Sequence, residues 1–257
     1  MNSRNSGLAI LAEGLEKSYR EWPVLWDLDL SVPWGESLSL FGANGSGKTT
    51  LLRILATGVR PDSGTVLVAG HNLRRQTAEV RRRVGVVAHR SFLYDDLTPR
   101  ENLNYYARLY GIEDREASIS RALERVGLSF RANHRVRTLS NGMQRRAAIA
   151  RAILHRPDLL LLDEPETGLD QDSRQMLGDL LREWTAEGRS VVLTTHDVEL
   201  GIQWGRRTAV LSGGKLCYTR GDAETIQAAL SGSRQLRSCQ QATTAKTREF
   251  HGGQGEE

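Results

Sequence analysis

The chain has 257 residues, a formal net charge of +4, 39 % hydrophobic and 26 % charged residues. That composition suits one large globular domain, or a core with a small insert. It excludes a membrane-crossing helix, since no run approaches the roughly 18 apolar residues that a bilayer demands, and a zinc scaffold, since Cys217 and Cys239 lack ligand spacing.

Residues 1–6 contain no apolar stretch of the signal-peptide kind, so a cytosolic chain is expected, with any membrane role supplied through a partner. Both cysteines are then expected as reduced thiols. Arg74, Arg75, Arg81, Arg82 and Arg83 gather without interleaved aromatics. A basic face near a membrane or partner fits them better than a nucleic-acid site.

From Leu8 to about Val86 short alternating segments predict strands, punctuated by Val32-Pro33-Trp34-Gly35 and Pro61-Asp62-Ser63-Gly64. Within this region Leu38, Leu40 and Phe41 alternate with Ser37 and Ser39, and Thr50 to Leu55 reads as a helix. Between them lies Gly42-Ala43-Asn44-Gly45-Ser46-Gly47-Lys48-Thr49, which fits G-x-x-x-x-G-K-[ST] in the strand–loop–helix context the pattern requires. Gly42, Gly45 and Gly47 let the loop curl so that backbone N–H groups, Asn44 among them, point at phosphate oxygens. The helix N-terminus, with Thr50 next in line, adds its partial positive charge. Lys48 is expected on the β- and γ-phosphates and Thr49 on Mg²⁺. These residues predict a nucleoside-triphosphate site.

From about Pro99 to Leu154 the period becomes helical. Thr98-Pro99-Arg100-Glu101 is a capping box with proline at the first helical position. Leu103, Tyr106, Ala107 and Tyr110 form one apolar stripe before Gly111, and Ile119, Ala122, Leu123 and Val126 form another before Gly127. Ser140 is a good N-cap for a helix through Ala147 to Leu154. After Pro157 the apolar runs 159–162 and 190–195 predict buried parallel strands, and 210–216 a hairpin-like stretch. The first run ends in Asp163 and Glu164, at the strand edge where ligands bind. Asp163 is placed to hold Mg²⁺, and Glu164 to polarise the water that attacks the γ-phosphate. Residues 231–257 have little to bury and predict a disordered tail. His71, His134 and His155 carry no motif and are expected as surface or capping residues.

Together these segments resemble the ATP-binding subunit of ABC transporters over nearly all of residues 8–225. Residues 42–49 match the Walker A loop, 159–164 Walker B, Leu139-Ser140-Asn141-Gly142-Met143 the signature, and Pro165-Glu166-Thr167-Gly168-Leu169-Asp170 the D-loop. His196 is similar to the switch histidine, and Tyr19 to the aromatic that stacks on adenine. The resemblance implies an α/β P-loop NTPase core of the ABC type, spanning 8–230, with an antiparallel β subdomain and an α-helical subdomain inserted at about 90–155. It implies ATP and Mg²⁺ as cofactors and hydrolysis carried by Glu164 and His196. It also implies a head-to-tail dimer with a second copy, in which Ser140 and Gly142 of one copy face the other's Walker A loop and Asp170 works across the interface. The partner is an integral membrane transporter subunit, gripped around 92–101, so the expected location is the cytoplasmic face of the membrane. No nucleic acid is expected.

The sequence departs from the family pattern at His89, where a Mg²⁺-touching glutamine is usual, and at Asn141 and Met143. The stretch from His89 to Leu103, with Met143-Gln144-Arg145-Arg146, resembles haem-exporter subunits of cytochrome c maturation, which implies haem export. Exporters of lipid, drug or polysaccharide share the wording Asp95-Asp96-Leu97-Thr98-Pro99-Arg100-Glu101-Asn102-Leu103 and form the alternative. From another class comes a soluble, non-transport ABC ATPase switch.

Overall fold

Successive residues of a strand point to opposite faces of its sheet, and here one sheet feeds two separate cores. The computed structural model describes residues 7–219 and 223–230. β1 (Leu8–Tyr19), β2 (Trp22–Pro33), β4 (Ser63–Val68) and β5 (His71–Asn72) form an antiparallel sheet in the order β2-β1-β4-β5. The second sheet has the order β10-β9-β3-β8-β7-β6. Its strands are β3 (Ser37–Phe41), β6 (Val84–Val87), β7 (Leu159–Asp163), β8 (Ser190–Thr194), β9 (Arg207–Ser212) and β10 (Lys215–Thr219). All its pairings are parallel except the β9–β10 hairpin.

The leucine run of β7 shows how the sheet is buried on both sides. Leu159 and Leu161 join Leu38, Leu40 and Val192 in a core shared with the antiparallel sheet and with α1 (Lys48–Leu55). Leu160 and Leu162 point the other way, into a core with Leu103, Ile119, Leu123, Ile149, Leu177 and Trp184. Those residues come from α3 (Pro99–Leu109), α4 (Arg115–Arg125), α5 (Asn141–Ile153) and α6 (Gln171–Ala186). A continuous apolar strand is what such two-sided burial requires.

The capping box on α3 is formed as predicted: Thr98 Oγ1 accepts from the Glu101 N–H at 3.1 Å, and Glu101 Oε2 accepts from the Thr98 N–H at 2.8 Å. Both predicted apolar stripes are largely buried, with Tyr106 partly so and Tyr110 exposed at the end of the first.

The sequence reading did not contain α2 (Thr77–Arg83), α6, α7 (Val198–Trp204) or α8 (Ala223–Leu230). Three of the gathered arginines tie α2 and its approach to neighbouring segments. Arg74 Nη2 donates to Pro61 O and Asp62 O, Arg81 Nε to Thr57 Oγ1, and Arg83 Nη1 to Asp158 Oδ2. His155 is not a surface residue. Its ring stacks on Tyr110 at 3.8 Å, and burial lowers its pKa to about 4. Cys217 is buried on β10 and is not a free thiol, against the expectation of a reduced one. Cys239 and the predicted tail 231–257 lie outside the described residues.

β6 and α5 touch backbone to backbone. A Cβ built on Gly85 stands 2.3 Å from Ala152 O and 2.8 Å from Leu160 Cδ2. Gly85→Ala should therefore force the helix away from the sheet and cost about 1–3 kcal/mol, measured as a lower urea midpoint with the m-value unchanged.

Candidate functional site

β3 ends at Phe41 and α1 begins at Lys48, so the loop 42–48 leaves the carboxyl edge of the central sheet. Gly47 caps the helix at φ 107°, a conformation that costs a side chain dearly, and a Cβ there would stand 3.0 Å from Leu25 Cδ2. Lys48 is 6 % exposed and its Nζ donates to Gly42 O at 2.7 Å and Ala43 O at 3.2 Å. Burial lowers its pKa, against the opposing pull of Glu164 and Asp163. Thr50 is half-buried on α1, and Asn44 and Gly45 are exposed on the outer side of the loop, where they line a small cleft with 210–213.

Asp163 closes β7 and is 8 % exposed. Its Oδ2 accepts from Thr49 Oγ1 at 3.0 Å and its Oδ1 from Thr194 Oγ1 at 2.7 Å. The second bond comes from the neighbouring strand, where Asp163 pairs with Thr194. A hydroxyl and a carboxylate oxygen thus converge, the hard-oxygen donor set that suits Mg²⁺. Among the described residues no group of three His, Cys, Asp or Glu could hold a metal.

Glu164 follows in the left-handed region at φ 48°. For a non-glycine residue this costs of order 1–3 kcal/mol and persists only where the surroundings fix it. Its N–H is shared between Thr194 O and Thr194 Oγ1, both at 3.1 Å. Its Oε1 lies 2.6 Å from His196 Nε2. Thr49, His89, Asp163 and Glu164 line one cavity of about 920 Å³, together with Phe92 and Arg145.

The other predicted residues stand outside that lining. Ser140 caps α5, its Oγ accepting from the Met143 N–H at 3.3 Å. Gly142 lets α5 approach the segment after β7, since a Cβ there would sit 2.8 Å from Gly168 O. Asp170 caps α6, and its bond from Ser173 holds its carboxyl below the usual range. Tyr19 is exposed at the end of β1, with Lys17 Nζ 5.5 Å from its ring centroid.

Sequence reasoning missed four side chains here. Arg145 is buried with its guanidinium on the carbonyls of Ala88, Asp163, Glu164 and Pro165. Thr194 anchors both acids. Buried Asn102 holds the loop before α3, bonding Tyr94 N, Tyr94 O and Thr98 O. Glu166 is 7 % exposed, with Oε1 accepting from Thr195 Oγ1 at 2.5 Å and Oε2 unpartnered. Arg145, Thr194 and Glu166 show no local pattern, because their partners are distant in sequence, and Asn102, whose partners lie four and eight residues back, belongs to no motif that assigns it a role.

The protein-family profile described as ABC transporter matches residues 25–167. The linearmycin resistance ATP-binding protein LnrL of Bacillus subtilis is 34 % identical over 232 residues, covering 86 % of this chain and 75 % of that protein. The Nod factor export ATP-binding protein I of Paraburkholderia xenovorans is 39 % identical over 209 residues, covering 80 % and 69 %. Among solved structures, the dimeric post-hydrolysis state of the ATP-binding cassette MJ0796 bound to ADP and Pi superposes with a TM-score of 0.75. It is 28 % identical, covering 80 % of this chain and 96 % of that one.

Burial raises the Glu166 pKa, with Glu164 adding to the rise and the Thr195 bond and Arg145 opposing it. The folded state then binds this proton more tightly than the unfolded chain, and stability drains away as pH rises from the ordinary glutamate range through the raised value. Glu166→Gln removes that loss. Its melting temperature should gain on wild type as pH is raised from about 4 to about 8, and a pH-independent difference would contradict the assignment.

Proposed function

This chain belongs to the ABC transporter family as an ATP-binding ATPase, and on that premise we propose that it powers export of a drug, lipid or polysaccharide through a separate membrane subunit. The observation that carries the hydrolytic part is the meeting of Thr49, Asp163 and Glu164 in one cavity, with His196 2.6 Å from the Glu164 carboxylate. In this reading the backbone of 42–47 and Lys48 cradle the phosphates, with Gly42, Asn44, Gly45 and Gly47 shaping the loop and Thr50 adding to the helix N-terminus. Tyr19 stacks on adenine. Thr49, Asp163 and His89 would hold Mg²⁺, which would supply positive charge against the phosphates. Glu164 accepts a proton from the attacking water, and His196 orients that carboxylate toward the γ-phosphate.

A second copy completes the site. Ser140 and Gly142 of one copy lie at the N-terminus of α5, whose free N–H groups suit an anion. They supply donors to ATP held on the other copy's loop, and Asp170 works across the interface. The dimeric MJ0796 cassette supports this arrangement.

The loop before α3 is the proposed seat of the membrane subunit. Phe92 and Tyr94 are half-exposed there, and Tyr105 packs edge-on against Tyr94 at 5.3 Å. The loop is firm beneath them: Tyr106 Oη donates to Phe92 O at 2.6 Å, and Arg151 lies 5.2 Å from the Phe92 ring. Among the described residues no helix is long and apolar enough to cross a membrane. In this reading the chain sits at the cytoplasmic face, attached through this seat.

Haem, which His89 to Leu103 and Met143 to Arg146 suggested, is set aside as cargo. Relatives that match most of the chain are named for linearmycin resistance and Nod factor export. Both names favour the exporter alternative over haem delivery, and over a soluble switch.

Glu164→Gln should lower kcat for ATP about 100- to 10,000-fold while ATP still binds and draws the chain into dimers. Steady-state phosphate release and size-exclusion chromatography with ATP test this, and undiminished hydrolysis would remove Glu164 from its role. Cells carrying the protein with its membrane partner should lose tolerance to an amphipathic antibiotic when Glu164→Gln replaces wild type. Unchanged tolerance across a panel of such compounds, with c-type haem lost instead, would return the cargo to haem.

A further inference from the structure

Arg145 is buried, yet it meets no carboxylate at hydrogen-bonding distance among the described residues. Its guanidinium donates from Nε to Pro165 O at 3.2 Å and from Nη1 to Ala88 O at 2.7 Å. Nη2 donates to Asp163 O at 2.7 Å and also to Glu164 O. One side chain therefore spans three segments. It rises from α5, five residues past Ser140, and grips both the residue before His89 and the three residues that leave β7. A planar fork of five N–H donors can do this, and a single ammonium cannot.

The grip falls on the strained residue. Glu164 holds its left-handed backbone between two clamps, Thr194 on its N–H and Arg145 on its C=O. Rotation of either peptide would swing the Glu164 carboxylate away from His196 and the cavity. Water or a neutral amide could satisfy isolated carbonyls, whereas a guanidinium locks all four in one geometry. It also sets a fixed positive charge beside Asp163 and Glu164, whose attraction works against the desolvation that lowers its own pKa.

We propose that Arg145 is a positioning residue for ATP hydrolysis, holding the Glu164 backbone in its left-handed conformation and tying that geometry to Ala88 and to the Ser140 helix. This rests on the role proposed for Glu164. Since α5 begins at the donors offered to the second copy's ATP, the same clamp makes the aim of one copy's Glu164 depend on how its helix is seated. The inference concerns aim and not affinity, so it separates kcat from binding.

Arg145→Lys, Arg145→Gln and Arg145→Ala in the full chain test it, with Glu164→Gln run alongside. The expected result is a fall in kcat of about 10- to 100-fold, the scale of a misplaced catalytic group. KM for ATP, and Kd for a non-hydrolysable analogue, should stay within about twofold. Millimolar guanidinium should restore part of the kcat of Arg145→Ala and none of that of Glu164→Gln. Wild-type kcat in folded Arg145→Lys or Arg145→Gln would overturn the proposal. So would a fall in kcat matched by equal losses in ATP affinity, which marks a merely structural residue. Should the Gln and Ala variants fail to fold, Arg145→Lys decides alone by its kcat against KM. Hydrolysis that survives Glu164→Gln would sink the underlying reading instead, a failure distinct from an active Arg145→Lys beside a dead Glu164→Gln.

Discussion

A lysine ammonium left only 6 % exposed has to be compensated where it lies, and the carboxyl edge of the central sheet is organised around that demand. Lys48 is fixed there because it opens α1 directly after a tight glycine loop. Two carbonyls of its own loop accept hydrogen bonds from it, and Asp163 and Glu164 supply the opposite charge from the next-but-one strand. Asp163 in turn needs donors for both oxygens, and receives them from Thr49 on the loop's helix and Thr194 on the intervening strand. Strand order therefore matters as much as sequence: β8 lies between β3 and β7, so its last threonine can reach the acid of one neighbour.

The same edge is reached from the helical side through two close approaches. Gly85 brings β6 against the C-terminal part of α5, and Gly142 brings the start of α5 against Gly168. With both ends of α5 seated, Arg145 in its middle is delivered to the carbonyls after β7 without room for choice. Packing in the helical core and geometry at the sheet edge are one mechanical unit. A disturbance at the aromatic loop near Phe92 has a short route to the acids, because Arg145 also holds Ala88 and Arg151 holds Val86 on the strand that feeds that loop.

Much of this was legible in the sequence, for a definable reason. The phosphate loop, the capping box at Thr98 and the leucine strand ending in two acids are local patterns, because backbone dihedrals, capping bonds and two-sided burial act within a few residues. Helices α2 and α6 were not recovered. α2 is seven residues long with one buried position, Val80, and offers little period to read. Arg145, Glu166 and Thr194 act on partners brought together by the fold, and residue type alone does not announce that. The haem suggestion finds no support in the relatives' names. It rested on two short stretches, whereas in the proposed assembly cargo would be decided by a membrane subunit that this chain only touches.

The cluster at the sheet edge is a poor way to stabilise a fold. It contains a buried ammonium, a buried guanidinium, a buried acid, a second acid in a strained backbone and a third with an unpartnered oxygen. Buried ionic groups seldom out-stabilise well-packed apolar residues of the same volume, and the left-handed Glu164 adds its own cost. The two apolar cores on either face of the sheet carry that burden, and their leucines crowd against β7 directly beneath the acids. The arrangement makes sense if polyphosphate completes it. Four negative charges and a divalent ion entering this cavity would meet Thr49, Asp163 and Glu164 already gathered, and would give the Lys48 ammonium better partners than the two loop carbonyls it now holds. What makes the edge costly to the fold is what suits it to a polyphosphate ligand.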